Sequence, residues 1–268
     1  MVKPRTGHIE VKAQCWQDNA GADIRHNIAT EVPVSLVYNG ISYAVMMATP
    51  GDLEDFGLGF SISEGIIQGQ DELKGIRAFQ EEKGILLAMD IPEERFAKIA
   101  HRKRRMTGRT GCGLCGVESL DEAVRSLPPV QGEIKISFSA VYKAYEILHG
   151  LQPEKQATGA VHSAAFVTPD GEIKLVREDV GRHNALDKLI GAAVRAGIEP
   201  ASGFILVTSR CSFEMVQKTV AFGTPVLAAI SAPTTLAVSL AEKSQLTLIA
   251  LARKEKFIVF AHPERIGA

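Results

Sequence analysis

The sequence predicts an α/β fold, with an α/β layer domain in the C-terminal half and a smaller mixed α+β domain before it. After about residue 180, predicted helices alternate with short apolar strands, which is typical of a sheet covered on both faces. Before residue 138, strands and helices follow one another without regular alternation. We therefore divide the chain into a tail or edge segment (1–30), a mixed α+β domain (31–137) and an α/β domain (138–268).

The first half opens with a hairpin signal. Asn39-Gly40 separates two apolar runs, residues 32–38 and 41–48, and favours a tight turn that needs positive φ at both central positions. Asp52 is the expected N-cap of the following helix, because a side-chain oxygen there can accept a bond from a free backbone N–H.

A second hairpin is expected around residues 81–84, with its second strand over 85–91. Pro92 should open a short helix, since its fixed φ suits the first helical turn. Another helix is expected near residues 119–126, before Pro128-Pro129.

The second half begins with a helix over 139–148, for which Ser139 is the expected cap, and an antiparallel pair, 161–168 with 172–177. Six further elements then alternate: helix 184–196, strand 203–209, helix 212–222, strand 225–231, helix 234–243 and strand 246–252. This order predicts a largely parallel sheet, in which ligands collect beyond the carboxyl ends of the strands.

The composition limits the classes of function. The formal net charge is −1 over 268 residues, so no overall field favours nucleic acid, and no apolar run approaches the ~20 residues of a membrane span. Four cysteines are too few for a disulfide framework and suit a reducing compartment. We expect a soluble cytoplasmic protein with neither nucleic acid nor membrane as a partner.

Cys112 and Cys115 form the one close cysteine pair in the sequence, in a glycine-rich stretch preceded by the basic run 102–105. Neighbouring cations lower a thiol pKa, and the thiolate attacks sulfur or binds metal. A zinc ribbon would need a second ligand pair, and a thioredoxin-like redox pair would normally follow a strand. These two roles and a plain structural loop remain alternatives, but a persulfide-carrying sulfur relay is favoured, with no metal site.

Two further motifs match by pattern alone. Gly111, Gly113 and Gly116 spell a dinucleotide fingerprint, but no strand precedes them. His-x-Glu occurs at His8 and His262, as in zinc deaminases, yet neither lies suitably before the cysteine pair. We reject both interpretations.

The densest polar stretch is 177–188, at a strand-to-helix junction. It is either a solvated helix start, with Asp187 and Lys188 exposed, or a binding site, and the residues favour neither. Two hydroxyl-rich strand ends, 208–214 and 231–235, lead into helix N-termini whose backbone N–H groups can hold an anion.

Six motifs in fixed order indicate a family: TGCGLCG (110–116), TGAVHSA (158–164), EDVGRHNALDK (178–188), TSRCSFEMVQK (208–218), SAPTTLAV (231–238) and AHPER (261–265). Together they resemble the formate dehydrogenase accessory sulfurtransferases, over about residues 32–265. Cys211 departs from the pattern, where a small residue such as alanine is expected, and is interpreted as a packing thiol.

The resemblance implies a sulfur carrier that takes persulfide sulfur from a cysteine desulfurase. Such a protein passes the sulfur to the molybdenum cofactor, bis(molybdopterin guanine dinucleotide), before the cofactor enters formate dehydrogenase. It also implies a cytidine-deaminase-like α/β part, a homodimer, Cys112 as the persulfide carrier and Cys115 as its partner. The cofactor site would be lined by Phe257, Ile258, Val259, Phe260, Ala261 and His262.

We further expect the α/β half to bind the guanine nucleotide part of that cofactor. Arg182 and Arg210 are the expected phosphate contacts, and His183 and Asn184 the readers of polar edges. Ser212, Ser231 and Thr234, at the two strand ends, complete the expected site. A cofactor-binding chaperone without sulfur transfer and a thiol oxidoreductase stay open as alternatives.

Overall fold

The computed structural model describes residues 7–105, 125, 127–253 and 256–267. The cysteine pair, Cys112 and Cys115, and the helix expected near 119–126 lie outside the described residues. The described chain is built around a four-stranded sheet in the first half and a six-stranded sheet in the second.

The first described element is an antiparallel ribbon of β1 (His8–Gln17) and β2 (Ala20–Ala29). Asp18 and Asn19 make its turn with φ of 51° and 64°. The sequence predicted only a tail or edge segment here. Most residues of the ribbon are exposed, so the strands lack the regular burial period that identifies a strand from sequence.

The four-stranded sheet has the order β4-β3-β6-β5. Its strands are β3 (Val32–Tyr38), β4 (Ile41–Ala48), β5 (Gly75–Glu81) and β6 (Gly84–Asp90). Both predicted hairpins are confirmed, and the central strands β3 and β6 are parallel. Asn39 and Gly40 have φ of 46° and 80°, as the predicted turn requires.

Two helices accompany this sheet, α1 (Leu53–Ser63) and α2 (Glu93–Arg105). Asp52 occupies the N-cap position of α1, but its side chain makes no capping bond, contrary to the prediction. Its backbone is left-handed, with φ of 52°, and its carboxylate lies 3.7 Å from the Arg177 guanidinium instead. Helix α2 follows Pro92 as predicted, but its 13 residues make it longer than the short helix expected.

The six-stranded sheet has the order β13-β12-β11-β10-β8-β9. Its strands are β8 (His162–Val167), β9 (Ile173–Asp179), β10 (Phe204–Val207), β11 (Val226–Ala229), β12 (Thr247–Arg253) and β13 (Lys256–Ala261). Only β10, β11 and β12 are parallel neighbours. The sheet is therefore mixed and not largely parallel, because β8 and β13 run against their neighbours.

Helices surround this sheet: α3 (Phe138–Leu148), α4 (Pro153–Thr158), α5 (Arg182–Arg195), α6 (Phe213–Phe222) and α7 (Thr235–Lys243). Short strands β7 (Ile136–Ser137) and β14 (Ile266–Gly267) pair beside it. The cap of α3 is Ser137 and not Ser139, since the Ser137 hydroxyl accepts from the Ala140 N–H at 3.1 Å. Among the described residues, no helix has the length and apolar character needed to span a membrane.

One hydrophobic core joins the two halves, and helices α1 and α5 cross at its centre. The crossing depends on glycine: a Cβ on Gly59 would lie 1.7 Å from the Asp187 carbonyl oxygen, and one on Gly191 would lie 1.9 Å from the Asp55 carbonyl oxygen. A second cluster, which includes Val141, packs on the opposite face of the six-stranded sheet. The sheet is therefore covered on both faces, as predicted.

Candidate functional site

Four strands of the six-stranded sheet end at one edge, which we call the carboxyl edge. Strands β9, β10, β11 and β12 point the same way, because β9 is antiparallel to β8 and β8 is antiparallel to β10. Helices α5, α6 and α7 begin just beyond β9, β10 and β11. Three helix N-termini therefore meet at this edge, and each can direct backbone N–H groups at an anion.

Three buried polar atoms at this edge lack a hydrogen-bond partner among the described residues. They are Arg182 Nε and His183 Nε2, on the first two residues of α5, and Ser212 Oγ, at the N-cap position of α6. We call them the unpartnered edge atoms. A buried polar atom without a partner costs about 1–3 kcal/mol, so three at neighbouring helix starts indicate a place for a polar ligand.

The charges at the carboxyl edge favour an anion. The pKa of His162, at the start of β8, is lowered by burial and by the cations of Lys155, Arg182 and Arg210. Burial and the Arg182 cation also lower the pKa of His183 to about 4, so this imidazole is neutral near pH 7. His183 Nε2 lies 3.9 Å from the Glu214 carboxylate, too far for a hydrogen bond.

The remaining predicted ligand contacts at this edge differ in their exposure and in whether they already form hydrogen bonds within the fold. Arg210 is exposed between β10 and α6. Ser231 follows β11, and its carbonyl oxygen accepts from the Leu251 N–H at 3.2 Å. The Thr234 hydroxyl is used as the cap of α7 and accepts from the Ala237 N–H at 3.3 Å. Arg210 is thus an exposed charge available to a ligand, whereas the Thr234 side chain already has a role in the fold.

Asn184 lies at the same helix start but is turned into the protein, with 2% of its surface exposed. Its Nδ2 donates to the Met47 carbonyl at 2.8 Å and to Asp179 Oδ1 at 3.0 Å. Both contacts lie within the fold, so the structure gives Asn184 a positioning role for the α5 N-terminus. Sequence reasoning had expected it to read polar edges of the nucleotide.

Asp179 and Lys188 form an ion pair that is wholly buried, with Lys188 Nζ 2.7 Å from Asp179 Oδ2. Lys188 Nζ also donates to the Thr49 carbonyl at 2.9 Å, and the Thr49 N–H donates to Asp179 at 3.0 Å. The pair therefore fixes the end of β4 against the start of α5. Of the two alternatives left open for this stretch, the solvated helix start with Asp187 and Lys188 exposed is therefore wrong.

Asp187 is also buried, and it joins a second network, with residues of α1 and α6. Lys218 Nζ, from α6, lies 3.0 Å from both Asp187 oxygens, 3.0 Å from Ser63 Oγ and 2.9 Å from Glu64 Oε1. Burial raises the pKa of Asp187 to about 6, against the effect of Lys218. Burial lowers the pKa of Lys218, but the carboxylates of Asp187 and Glu64 outweigh it and leave that pKa raised.

Arg177 and Glu178 also have partners within the fold. Arg177 Nη2 donates to Asp55 at 2.7 Å, and Glu178 accepts from the backbone N–H groups of Glu154 and Lys155 at 2.9 and 3.0 Å. A cavity of about 370 Å³ opens beside them. Because the side chains of Arg177 and Glu178 are already hydrogen-bonded within the fold, we regard the carboxyl edge, and not this cavity, as the candidate ligand site.

The segment expected to line the cofactor site forms β13 and the residue after it. Lys256 pairs with Arg253 at the carboxyl end of β12, whereas Ala261 pairs with Leu248 near the other end. Phe257 therefore lies near the carboxyl edge, followed by Ile258, Val259 and Phe260 along the strand. His262 lies near the opposite edge, where its Nε2 contacts the Glu242 carbonyl oxygen at 2.9 Å. The structure does not bring these six residues together at one point.

Sequence reasoning missed Ser63 and Glu64, which complete the network around Lys218. They lie 119 and 118 residues before the start of α5 at Arg182, so no local pattern connects them with it. One signal was available: Ser61 and Ser63 are polar residues in the otherwise apolar run 56–63 of α1.

A comparison with known proteins decides the family. The FdhD/NarQ family model matches residues 29–267. The chain belongs to the FdhD/NarQ family. The resemblance inferred from the six motifs is thereby confirmed.

Relatives within the FdhD/NarQ family match over almost the whole chain. The sulfur carrier protein FdhD of Variovorax paradoxus (strain S110) is 51% identical over 245 residues, covering 91% of this chain and 88% of that protein. The protein of the same name from Xanthomonas axonopodis pv. citri (strain 306) is 47% identical over 262 residues, covering 98% and 93%.

A solved structure shares the FdhD/NarQ chain's fold. It is described as the crystal structure of a candidate formate dehydrogenase accessory protein from Desulfotalea psychrophila. The TM-score is 0.76 at 24% identity, and the match covers 97% of this chain and 99% of that one. The predicted α/β class is confirmed. The family model begins at residue 29, where the β1–β2 ribbon ends.

Proposed function

We propose that this chain is a cytoplasmic sulfur carrier, working as a homodimer. It takes persulfide sulfur from a cysteine desulfurase and passes it to bis(molybdopterin guanine dinucleotide), the cofactor destined for formate dehydrogenase. The relatives' name, sulfur carrier protein FdhD, supports the sulfur-carrying part. The observation that carries the rest is the carboxyl edge, where donors without a partner among the described residues lie with Arg182 and Arg210 at neighbouring helix starts.

The carboxyl edge fits the diphosphate groups of the cofactor, which is here a substrate. Arg182 Nε and the Ser212 hydroxyl are donors without a partner among the described residues, and His183 Nε2 donates in one of its two neutral tautomers. Phosphate oxygens accept such bonds strongly, and helix N-termini add favourable dipoles. Arg210 is exposed and can close over the bound group.

The length of chain between the cysteine pair and Arg125 allows the pair to reach this edge. The Arg125 backbone N–H donates to Gln217 Oε1 at 3.0 Å, and Gln217 lies four residues, or about 6 Å, beyond the start of α6. Cys115 is ten residues before Arg125, so the chain allows it to lie up to about 35 Å from that anchor. The thiols and the donors at the helix starts can therefore act on one bound molecule.

The sulfur chemistry is an exchange between thiolates and persulfides. The Cys112 thiolate attacks the outer sulfur of the donor's persulfide, the donor's S–S bond breaks, and the donor cysteine leaves as a thiolate. In the next step, the Cys115 thiolate either attacks the inner sulfur, forming a Cys112–Cys115 disulfide and releasing hydrosulfide, or receives the outer sulfur itself. The first route leaves a disulfide, which a cellular dithiol must reduce before another cycle.

Anaerobic incubation with a cysteine desulfurase and isotope-labelled cysteine tests the proposal. Mass spectrometry should find one labelled sulfur atom on the peptide that carries Cys112 and Cys115, removable by reductant and absent from the Cys112→Ala variant. A peptide without added sulfur would favour the chaperone. Disulfide reductase turnover, with a potential near the thioredoxin value of about −270 mV, would favour the thiol oxidoreductase.

A further inference from the structure

Glu214 is a carboxylate at the carboxyl edge, among groups that otherwise favour an anion. It lies in the first turn of α6, two residues after the N-cap Ser212, and its side chain is 25% exposed. Within the described part of the chain, its carboxylate approaches one ionisable group, His183, whose Nε2 is 3.9 Å away. That distance is too long for a hydrogen bond, and His183 is neutral near pH 7, so the two side chains do not form an ion pair.

The fold does not account for this carboxylate. The dipole of α6 favours a negative charge in its first turn, but it does not replace the hydrogen bonds that a carboxylate loses when it leaves water. A capping box would need the carboxylate at the third helical position, which is Met215. Neither Arg182 nor Arg210 pairs with it among the described residues. A partly buried acceptor that the fold leaves open indicates a ligand that donates hydrogen bonds.

The part of the ligand that meets Glu214 must be a neutral donor. Phosphate oxygens are acceptors of the same charge, so a carboxylate repels them. A guanine base is neutral, and its N1–H and 2-amino group are two donors side by side, which the two oxygens of one carboxylate can accept together. Adenine presents an acceptor, N1, beside its 6-amino group, so a carboxylate there would face a lone pair.

We propose that Glu214 selects the ligand of the carboxyl edge by accepting two hydrogen bonds from a 2-amino-4-oxopyrimidine ring, the ring edge that guanine presents. This inference rests on the cofactor-binding part of the proposed function and names the residue that recognises the base. The side chain of Asn184, which the sequence offered for that role, is bonded within the fold. Arg182 and Ser212 would hold the diphosphate, so different groups recognise the charge and the base.

Exchanging the carboxylate for an amide replaces one acceptor by a donor. In calorimetry, Glu214→Gln should weaken GDP about ten- to a hundredfold, because one guanine donor then meets an N–H group. The same variant should bind xanthosine diphosphate more tightly than wild type does, since xanthine has an acceptor oxygen where guanine has its 2-amino group. Glu146→Gln is the matched control, because it makes the same change at an exposed glutamate of α3 and should alter neither affinity.

Two further ligands identify the atoms that are recognised. Inosine diphosphate lacks only the 2-amino group, so wild type should bind it about tenfold more weakly than GDP, a result that does not depend on the folding of Glu214→Gln. The pterin ends of the cofactor carry the same ring edge as guanine, and 6-hydroxymethylpterin diphosphate presents it without guanine. If Glu214→Gln weakens this pterin and leaves GDP unchanged, the ring that Glu214 recognises is the pterin.

The outcomes separate this inference from the proposed function. A change of preference from GDP to xanthosine diphosphate in Glu214→Gln supports the inference, even if no labelled sulfur appears on the cysteine peptide and sulfur transfer is rejected. Affinities for GDP and the pterin that are the same in Glu214→Gln and wild type overturn the inference and leave sulfur transfer standing. If wild type binds neither GDP nor the pterin, the cofactor-binding part of the proposed function fails, and this inference fails with it.

Discussion

Lys188 Nζ lies 2.7 Å from Asp179 Oδ2, and neither side chain is exposed to solvent. The pair joins the end of the first hairpin to the start of α5 through Thr49. It therefore holds the two halves of the chain together behind the carboxyl edge.

Replacing one partner of this pair should be strongly destabilising. Lys188→Met leaves the Asp179 carboxylate buried without its cation, which typically costs about 3–5 kcal/mol. Urea denaturation measures the loss. The control is Lys174→Met, which removes an ion pair with Glu172 whose side chains are 45% and 56% exposed and should cost less than about 1 kcal/mol. Equal losses in the two variants would show that the buried pair is not needed for stability.

A sulfur-transfer assay should distinguish the role of Cys112 from that of Cys211. Cys112→Ala should abolish sulfur transfer and leave the thermal unfolding temperature nearly unchanged. Cys211→Ala should keep the activity, because Cys211 is buried in the core and burial raises its pKa to about 12, so it stays a thiol. Loss of transfer in Cys211→Ala with transfer intact in Cys112→Ala would place the sulfur chemistry elsewhere.

Nucleotide binding tests the carboxyl edge without any sulfur chemistry. Calorimetry should show that GDP binds more tightly than ADP, and that Arg210→Ala weakens GDP roughly tenfold by removing a charge-assisted hydrogen bond. Arg25→Ala removes an exposed arginine of the ribbon and should bind GDP normally. The chain has no Walker A sequence, so GTP should not be hydrolysed. Indistinguishable GDP and ADP isotherms would remove the nucleotide assignment.

The burial of His183 makes stability depend on pH. The pKa of His183 is lowered to about 4 from a value near 6.5, so the unfolded chain binds more protons between these values. Stability from this group is present above about pH 6.5 and is lost as the pH falls towards about 4. Between about pH 7.5 and about pH 5, wild type should lose about 2 kcal/mol more than His183→Gln in urea denaturation.

Asp187 changes stability with pH in the opposite direction to His183. The comparison of wild type with His183→Gln removes this contribution. The pKa of Asp187 is raised to about 6, so its contribution is present below about pH 4 and is lost as the pH rises through about 6. Asp187 is common to both proteins, so it cancels in their difference. Parallel pH profiles for wild type and His183→Gln would mean that His183 titrates normally in the folded protein.

The sequence predicted the turns and helices, which depend on residues close together in the chain. Asn39-Gly40 specifies its hairpin through two φ angles, and four of the five helices of the second half were placed within two residues, whereas α4 (Pro153–Thr158) was not expected. Strand direction depends on pairing between distant segments, so the reversed β13 was missed. The buried state of Lys188 was missed for the same reason, because its partner oxygen on Thr49 is 139 residues away.

The candidate site residues divide in the same way, into those that local motifs identify and those whose role depends on distant contacts. The motifs identified Arg182, His183 and Ser212, and the structure brings them to neighbouring helix starts. Asn184 has a side chain that could contact a ligand, but its amide is hydrogen-bonded within the fold. The sequence does not show this, because the acceptor, the Met47 carbonyl oxygen, is distant in the chain. Gln217 carried no signal of its own, because a glutamine inside a helix is ordinary until the residue that it holds is known.

The glycine crossing of α1 and α5 has a consequence for how the protein is made. Gly59 and Gly191 can meet only after the ribosome has released both, so the central core closes late in synthesis. Some 80 residues separate Cys115 from the end of α5, which is about 4 to 16 seconds of translation. During that interval the nascent thiols precede the arginines and helix starts with which the proposed function joins them. Under that function, a newborn chain passes through a period in which its cysteines have been synthesised but the edge that would bind their substrate has not.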